Sequence, residues 1–143
     1  MGSLPLGWKL EKLGECCQII SGSTPSRNKP EYWGGSISWV TPKDLSKLKS
    51  PILEDSPEKI TEVGYKSCST TLMPAGAILF SSRAPIGHVA IAGKPMCTNQ
   101  GFKSLVPNSS VDSAFLYWCM RYFARDTALP SVMRYTRLKY KYF

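Results

Sequence analysis

The sequence predicts an α/β (mixed α+β) fold in a single small domain, with a twisted sheet, long loops and a C-terminal helix. Three observations support this prediction. The 143 residues suffice for one hydrophobic core and are too few for two of ordinary size. Short apolar runs alternate with connectors rich in Gly and Pro, which is typical of strands and turns. Near the C-terminus, apolar residues recur at the spacing of a helix.

The first segment of the chain is ambiguous, and the second predicts a strand. Residues 8–20 mix apolar spacings around a break at Gly14, so a strand and a short helix are both open. Residues 36–40 alternate, and we expect Ile37 and Trp39 to face the core while the residues between them face the other side. This alternation predicts a half-buried strand.

The middle of the chain predicts a helical turn and then the strands of a sheet. Residues 59–67 predict a helical turn that Gly64 interrupts. Strands are expected at residues 77–81, 88–92 and 102–106, because the connectors between them carry the Gly and Pro that turns require.

Residues 112–125 predict the C-terminal helix. Asp112 or Ser113 can cap it by accepting a hydrogen bond from a free backbone N–H group. Arg121 and Arg125 lie in the last turns, where the helix dipole favours cations. We expect a core helix with a solvated basic edge, whose apolar residues recur at offsets of three and four: Phe115, Leu116, Cys119, Tyr122 and Phe123.

Charge and composition narrow the classes of partner and the compartment. The net charge is +8, from 18 Lys and Arg against 10 Asp and Glu, and this favours a phosphate-rich partner. No apolar run approaches the roughly 18 residues needed to cross a bilayer, and residues 1–7 lack the pattern of a signal peptide. We therefore expect a cytoplasmic protein with no membrane partner.

The five cysteines show no zinc-binding spacing and no second pair beside Cys16 and Cys17. We interpret them as reduced and mostly buried small hydrophobic residues, as is usual in a cytosolic protein.

Residues 21–45 form a long loop, rich in Gly, Pro and Ser, that closes onto the first predicted strand. Loops of this kind, carried on a rigid frame, often hold binding sites. The cations and aromatic residues of this loop predict contact with a polyanion: Arg27, Lys29, Tyr32, Trp33 and Lys43.

The sequence gives little support for catalysis. No G-x-G-x-x-G motif follows a strand, and residues 87–94 do not fit a nucleotide-binding loop, so we expect no cofactor. The only histidine, His88, stands at a turn, where we expect an orienting hydrogen bond. Ser81 or Ser82 could join His88 and Asp44 in a triad, but no G-x-S-x-G elbow positions a nucleophile. We expect no catalytic residue and no metal site.

Residues 80–105 contain further groups that could contact DNA bases. Arg83 leaves a strand before a tight Ala84-Pro85 turn, and can lie on guanine or on a phosphate, or else pair with Asp44 or stay on the surface. The amides of Asn99 and Gln100 can read adenine, or only bond to the backbone of their own turn.

Four segments, in order, carry a resemblance to a known family. They are GWKLEKLGE (7–15), IISGSTPSRNKPEYWGGSISWVTPKDL (19–45), ITEVGYKSCSTTLMPAGAILFSSRAPIGHVAIAGKPMCTNQGFKSLVP (60–107) and FLYW (115–118). Over residues 7–125 the chain resembles a target recognition domain of a type I restriction-modification specificity subunit.

This resemblance implies sequence-specific binding of double-stranded DNA by a chain without a catalytic centre of its own. In that family two such domains, joined and spaced by long helices, each read half of a split target. Methyltransferase subunits use S-adenosylmethionine to methylate adenine, and a restriction subunit cleaves unmodified DNA. The partners implied for this chain are therefore DNA, those subunits and a second specificity half.

The resemblance also divides the residues into frame and reading surface. The residues that match the family pattern are interpreted as frame: Gly22, Pro25, Trp39, Pro74, Gly76, Gly87 and Gly101. The predicted phosphate contacts are Arg27, Lys29, Lys43 and Lys103, and the predicted base contacts are Asp44, Arg83 and Gln100. Asp44 can alternatively cap the turn after Pro42. The predicted DNA-binding set is completed by Thr24, Tyr32 and Ser82.

The chain departs from the family pattern after residue 125. Residues 1–125 correspond to one recognition domain, where a full specificity subunit has two, and the long spacer helix does not follow. Residues 126–143 form a basic aromatic tail that suits phosphate contact and stacking, or is a truncated spacer. A second hypothesis is therefore a truncated interaction module that associates with specificity or methyltransferase subunits without binding DNA.

Overall fold

The computed structural model describes residue 6, residues 12–83 and residues 87–125, with the backbone alone at residues 123–125. It contains four α-helices, one 3₁₀ turn and eight strands within these ranges. The helices are α1 (Leu13–Cys16), α2 (Pro42–Ser46), α3 (Glu62–Lys66) and α4 (Ser113–Arg125), and the 3₁₀ turn is Pro30–Tyr32. The strands are β1 (Cys17–Ser21), β2 (Trp33–Val40), β3 (Ile52–Leu53), β4 (Glu58–Ile60), β5 (Ile78–Phe80), β6 (Val89–Ala92), β7 (Cys97–Thr98) and β8 (Lys103–Pro107).

The strands form two sheets. The first has the order β1-β8-β5-β6-β3, and the second has the order β4-β2-β7. Most neighbours are antiparallel, but β3 with β6 and β2 with β7 are parallel. The β1–β8 pairing places Ser21 opposite Lys103 at the end of both strands. The sheets therefore bring residues 21–24 beside residues 98–103.

The first sheet is covered on both faces. In β5, Ile78 and Phe80 pack in a cluster with Leu116 and Tyr117 of α4, while Leu79 packs in a different cluster with Val40 and Met96. Successive side chains of a strand point to opposite faces, so the alternation in β5 separates these two clusters. A third cluster joins Trp39, Ile60 and Cys97 within the second sheet. A strand covered on both faces is apolar throughout, as β5 is.

Most of the predicted elements are present with small shifts of their ends. The strand expected at residues 36–40 is β2, and those expected at 77–81, 88–92 and 102–106 are β5, β6 and β8. The C-terminal helix is α4, and Asp112 caps it by accepting a hydrogen bond from the N–H of Phe115 at 3.0 Å. The ambiguous segment contains both alternatives, since α1 leads directly into β1.

Several expectations about these elements were wrong. The mixed α+β class is confirmed, but the described strands form two sheets where one was expected, because β2 pairs with β4 and β7 and not with the strands of the first sheet. Ser38 and Val40 are buried although they were expected on the open face, because both faces of β2 are covered near its end. Gly64 does not interrupt α3 but lies inside it, where a Cβ would stand 2.4 Å from the carbonyl oxygen of Tyr32.

The buried face of α4 also differs from the prediction. Leu116, Tyr117 and Met120 are buried, whereas Phe115 and Tyr122 are 47% and 69% exposed. The helix is rotated relative to the expected stripe because Tyr117 and Met120 pack against Ile78 and Phe80. The spacing of apolar residues along the helix does not show which of them will meet the sheet. The side chain of Phe123, the Ala84-Pro85 turn and the tail at 126–143 lie outside the described residues.

Candidate nucleic-acid interface

Residues 98–101, here called the central turn, join β7 to β8 and organise the predicted site. The N–H of Asn99 donates to the carbonyl of Val40 at 3.0 Å, and the N–H of Ser23 donates to the carbonyl of Thr98 at 3.0 Å. Within the turn, the side-chain oxygen of Asn99 accepts from the N–H of Gly101 at 2.9 Å. The turn is therefore tied to β2 and to the start of the loop at 21–45. The Asn99 amide bonds to its own turn, which was one of its two expected uses.

Thr24 and Gln100 meet across this turn. The Thr24 hydroxyl donates to Oε1 of Gln100 at 2.5 Å, although the two residues are 76 positions apart. This bond occupies one lone pair of Oε1, and the second lone pair and both amide hydrogens remain for a ligand. Gln100 is exposed, so its amide is presented to solvent in an oriented state. An amide of this kind can pair with adenine through N6 and N7.

Two further predicted residues lie beside the central turn. The N–H of half-buried Ser82 donates to the carbonyl of Gly101 at 2.8 Å, which holds the exit of β5 against the turn. Nζ of Lys103 donates to Oγ of Ser21 at 2.5 Å. Arg83 follows Ser82 and is exposed, and in the part of the chain that the structure describes no ion pair joins it to Asp44.

Close packing at Gly22 and Gly101 sets the shape of this region. A Cβ at Gly22 would stand 2.0 Å from the carbonyl oxygen of Asn99, and one at Gly101 would stand 3.1 Å from a ring carbon of Pro42. Glycine at position 22 thus lets the two loop backbones approach directly. Gly76 and Gly87 have φ angles of 92° and 90°, which favour glycine, as expected of residues that set turns.

Asp44 and Lys43 lie on α2, whose first residue packs beside Gly101. The carboxylate of Asp44 accepts from the N–H of Thr41 at 2.8 Å and so caps this short helix. This was the alternative to base reading, and it occupies one carboxylate oxygen. Lys43 is exposed in the first turn of α2, where its charge is available to a phosphate.

Arg27 occupies a different environment, on the second sheet. Its guanidinium makes two bonds to the Glu58 carboxylate, at 2.5 and 3.3 Å, and its Cζ lies 4.0 Å from the ring centre of Trp33. The predicted phosphate contact would compete with these interactions. Lys29 is exposed, and Tyr32 is half-buried where its carbonyl accepts from the N–H of Thr61.

Sequence reasoning missed the partners that orient the predicted residues. Ser21 accepts from Lys103, and the carbonyl of Ser23 accepts from the indole N–H of Trp39 at 3.0 Å. Both contacts depend on strand pairing and loop closure between distant segments. No local signal in the sequence identifies them.

Potential metal ligands do not cluster within the described ranges. No group of three or more His, Cys, Asp or Glu in these ranges could hold a metal ion. Asp55 is engaged by Lys94, the Ser56 N–H and the Ser38 hydroxyl, which hold the pKa of its carboxyl well below the usual range. Burial raises the pKa of the Cys97 thiol to about 11, so this thiol is protonated at neutral pH.

The cysteines agree with their interpretation as hydrophobic residues. All five are free, with Cys16, Cys17 and Cys97 buried and Cys68 and Cys119 half-buried. Over the described ranges, none of the helices is both long and apolar enough to span a bilayer.

Comparison with known proteins shows which family this chain resembles. The sequence model of the Type I restriction modification DNA specificity domain matches residues 5–137. The type I restriction enzyme MjaIX specificity subunit of Methanocaldococcus jannaschii is 43% identical over 121 residues, which is 85% of this chain and 28% of that protein. The EcoR124I/EcoR124II specificity subunit of Escherichia coli is 34% identical over 115 residues, covering 77% of this chain and 27% of its own length.

Solved structures show the same architecture. The HsdS subunit from Thermoanaerobacter tengcongensis superposes with a TM-score of 0.66 at 27% identity, over 86% of this chain and 29% of that one. A chain from a structure describing assembly and conformational transition of the type I R-M system superposes with a TM-score of 0.69 at 26% identity, over 87% and 30%. The present chain spans less than a third of the length of these proteins.

Proposed function

The chain belongs to the family of type I restriction-modification DNA specificity domains, and from this premise we propose that it is a target recognition domain that binds double-stranded DNA sequence-specifically. In this proposal the central turn faces the base edges. The chain performs no chemistry itself. It directs the adenine methyltransferase and endonuclease subunits of a type I system, together with a second specificity half, in the cytoplasm.

The hydrogen bond from Thr24 to Gln100 is the main observation that supports the proposal. An exposed amide is held in one orientation by a hydroxyl, on a turn that is itself tied to both sheets. Such fixed donors and acceptors suit the hydrogen-bond pattern of a base edge in the major groove. Lys43 and Lys103 supply cations that suit phosphates, and Arg83 supplies a guanidinium that suits a guanine edge. The net charge of +8 supports the same partner.

Selection from random duplexes tests this proposal directly. The 143-residue chain would be incubated with random double-stranded DNA, alone and with the methyltransferase subunit of a type I system, and the bound sequences would be read. We expect one enriched half-target, and affinity that falls with salt by a log-log slope of about −0.9 for each phosphate contacted. Absence of any enriched sequence at low salt in both arms would refute the proposal. Copurification with the methyltransferase subunit without DNA binding would favour the interaction module instead.

Two substitutions separate reading from positioning. Gln100→Ala should relax the preference at one base pair by about tenfold, because one bidentate contact discriminates by roughly 1–3 kcal/mol. Lys103→Ala should weaken binding of all sequences alike and leave the selected sequence unchanged. Lys12→Ala is the matched control, since Lys12 is exposed just before α1, at the opposite end of β1 from Ser21. It should change neither property.

A further inference from the structure

A cavity of about 610 Å³ opens at one side of α4, between this helix and the segment that follows α2. Its walls include Leu45 and Ser46 at the end of α2, Lys49 and His88 from two loops, and Arg121 from α4. This volume lies within the range of roughly 300–1,000 Å³ that is common for ligand sites. The cavity, here called the α2–α4 cavity, is not used by the reading surface described above.

Among the residues that the structure describes, the lining of the α2–α4 cavity includes two cations and no carboxylate. Lys49 and Arg121 carry positive charge, and the imidazole of His88 supplies a further hydrogen-bond donor. Ion pairs among the described residues neutralise Arg27, Lys59, Lys66 and Lys94, but none involves Lys49 or Arg121. Two cations on a concave and otherwise uncharged wall focus a positive potential and attract an anion.

Arg121 is held in place for such a role. Its Nη1 donates to the hydroxyl of buried Tyr117 at 3.0 Å, and its Cζ lies 5.9 and 5.8 Å from the ring centres of Tyr117 and Trp118. The guanidinium is half-buried and has further N–H donors beyond the one that Tyr117 accepts. A planar fork of donors fixed in this way matches the oxygens of a phosphate.

The α2–α4 cavity is connected to the central turn by two short links. The first is α2, a five-residue helix that begins at Pro42 beside Gly101 and ends at Ser46 in the cavity wall. At a rise of about 1.5 Å per residue this helix is only about 7 Å long.

The second link is the end of β5. The carbonyl of Ser81 accepts from the N–H of Gly87 at the cavity, while the N–H of Ser82 donates to Gly101 in the central turn. Lys43 on α2 and Lys47, which directly follows the last residue of α2, are both exposed. Positive charge therefore continues from the central turn to the cavity.

We propose that the α2–α4 cavity binds a backbone phosphate of the same DNA duplex that the central turn reads, with Arg121 as the principal contact and Lys49 as the second. This inference rests on the proposed function. Duplex DNA carries a phosphate about every 1.7 Å along its axis, so a duplex that runs from the central turn along α2 presents phosphates at the cavity. The contact would position the duplex without specifying sequence.

Binding of the selected duplex by Arg121→Ala tests the inference. The variant should bind about tenfold more weakly to every sequence, because a hydrogen bond to a charged group is lost, and its selected sequence should be that of the wild type. Its log-log salt slope should be shallower by about 0.9, so the wild type loses about 3.5-fold more affinity than the variant over a fourfold rise in salt. Arg121→Lys should recover part of the affinity, since the charge is kept and the fork is lost.

Controls separate a DNA contact from a structural effect. Urea denaturation of Arg121→Ala measures its folding, and Tyr117→Phe keeps the ring while removing the hydroxyl that orients Arg121. Tyr117→Phe should weaken binding by a smaller factor than Arg121→Ala without changing the salt slope. An unchanged salt slope in a folded Arg121→Ala variant would overturn the inference.

The source of the phosphate is tested by competition. Inorganic phosphate and a mononucleotide should displace the duplex only at high concentration, and less so from Arg121→Ala. If the mononucleotide binds tightly through Arg121 but does not displace the duplex, the phosphate bound by the cavity does not come from DNA. Arg121-dependent capture of an acidic segment of the methyltransferase subunit would also overturn the assignment to DNA. If the wild type shows no sequence preference, the proposed function fails. If it reads a sequence and Arg121→Ala behaves identically, only this inference fails.

Discussion

Replacing Gly22 with alanine would place a methyl group between the two loops that build the reading surface. The added Cβ would lie 2.0 Å from the carbonyl oxygen of Asn99, and 2.3 Å from both the carbonyl oxygen and Oγ1 of Thr98. An unstrained contact between carbon and oxygen is about 3.3 Å or longer. The two backbones must therefore separate by about 1 Å, and backbone oxygens cannot rotate away as the end of a long side chain could.

The expected cost combines overpacking with the loss of a hydrogen bond. Overpacking of a close contact costs about 1–3 kcal/mol. The bond from the N–H of Ser23 to the carbonyl of Thr98, now 3.0 Å long, would stretch beyond hydrogen-bond range and forfeit about 1 kcal/mol. We expect Gly22→Ala to lower the free energy of unfolding by about 3 kcal/mol. Separation of Thr24 from Gln100 should also relax the preference at the base pair that Gln100 reads.

Urea denaturation followed by tryptophan fluorescence measures the first effect, and the midpoint should fall by about 1–3 M. Gly34→Ala is the matched control. Gly34 has a φ of 80° with no atom within 4 Å of an added Cβ, so this variant tests backbone conformation without a clash. Gly34→Ala should lower the free energy of unfolding by about 1–2 kcal/mol and leave the DNA sequence preference unchanged. The reasoning is refuted if Gly22→Ala is no less stable than Gly34→Ala and still selects the wild-type sequence.

Three further substitutions test individual contacts. Asp44→Ala should cost about 1 kcal/mol of stability through loss of the α2 cap, and a changed sequence in duplex selection would show that Asp44 also reads a base. Arg27→Ala should lower the free energy of unfolding by about 1 kcal/mol, because it removes the ion pair with Glu58 and the contact with the indole of Trp33. The salt slope of DNA binding should be unchanged. A slope shallower by about 0.9 would instead show a phosphate contact. Lys94, the Ser56 N–H and the Ser38 hydroxyl lower the pKa of Asp55, so its stabilisation is present above about pH 4 and is lost as the pH falls below that value. Asp55→Asn should be less stable than the wild type by up to about 1 kcal/mol at neutral pH. Titration of the urea midpoint should show this gap narrowing as the pH falls below about 4, and a gap that is constant with pH would contradict the role of the charge.

The expected strands and the C-terminal helix were found because their signals are local. The apolar run of β5 and the Asp112 cap of α4 each depend on residues a few positions apart. The two-residue strands β3 and β7 were missed because a segment so short has no periodicity to detect. The rotation of α4 was missed for a related reason. Several stripes of that helix are apolar, and only the shape of the sheet beneath selects Leu116, Tyr117 and Met120.

In the predicted site, too, the sequence indicated local features and missed contacts between distant segments. The sequence indicated which residue types could contact DNA, and it placed Asp44 in a capping position as one of two alternatives. It could not show that Arg27 would lie between Glu58 and Trp33, since those contacts cross the second sheet. Nor could it show that Lys103 would stand beside Ser21, which follows from the register of β1 with β8.

The sequence by itself determined the fold class and the basic character of the surface, because these follow from composition and local spacing. It also indicated the family, through a resemblance carried by motifs in a fixed order. Only the tertiary structure decided that Thr24 orients Gln100 across 76 positions, and that Arg121 faces the α2–α4 cavity. Contacts between distant segments depend on which strands pair and how closely two backbones can approach. At the centre of this surface that approach is permitted by the missing side chain of Gly22.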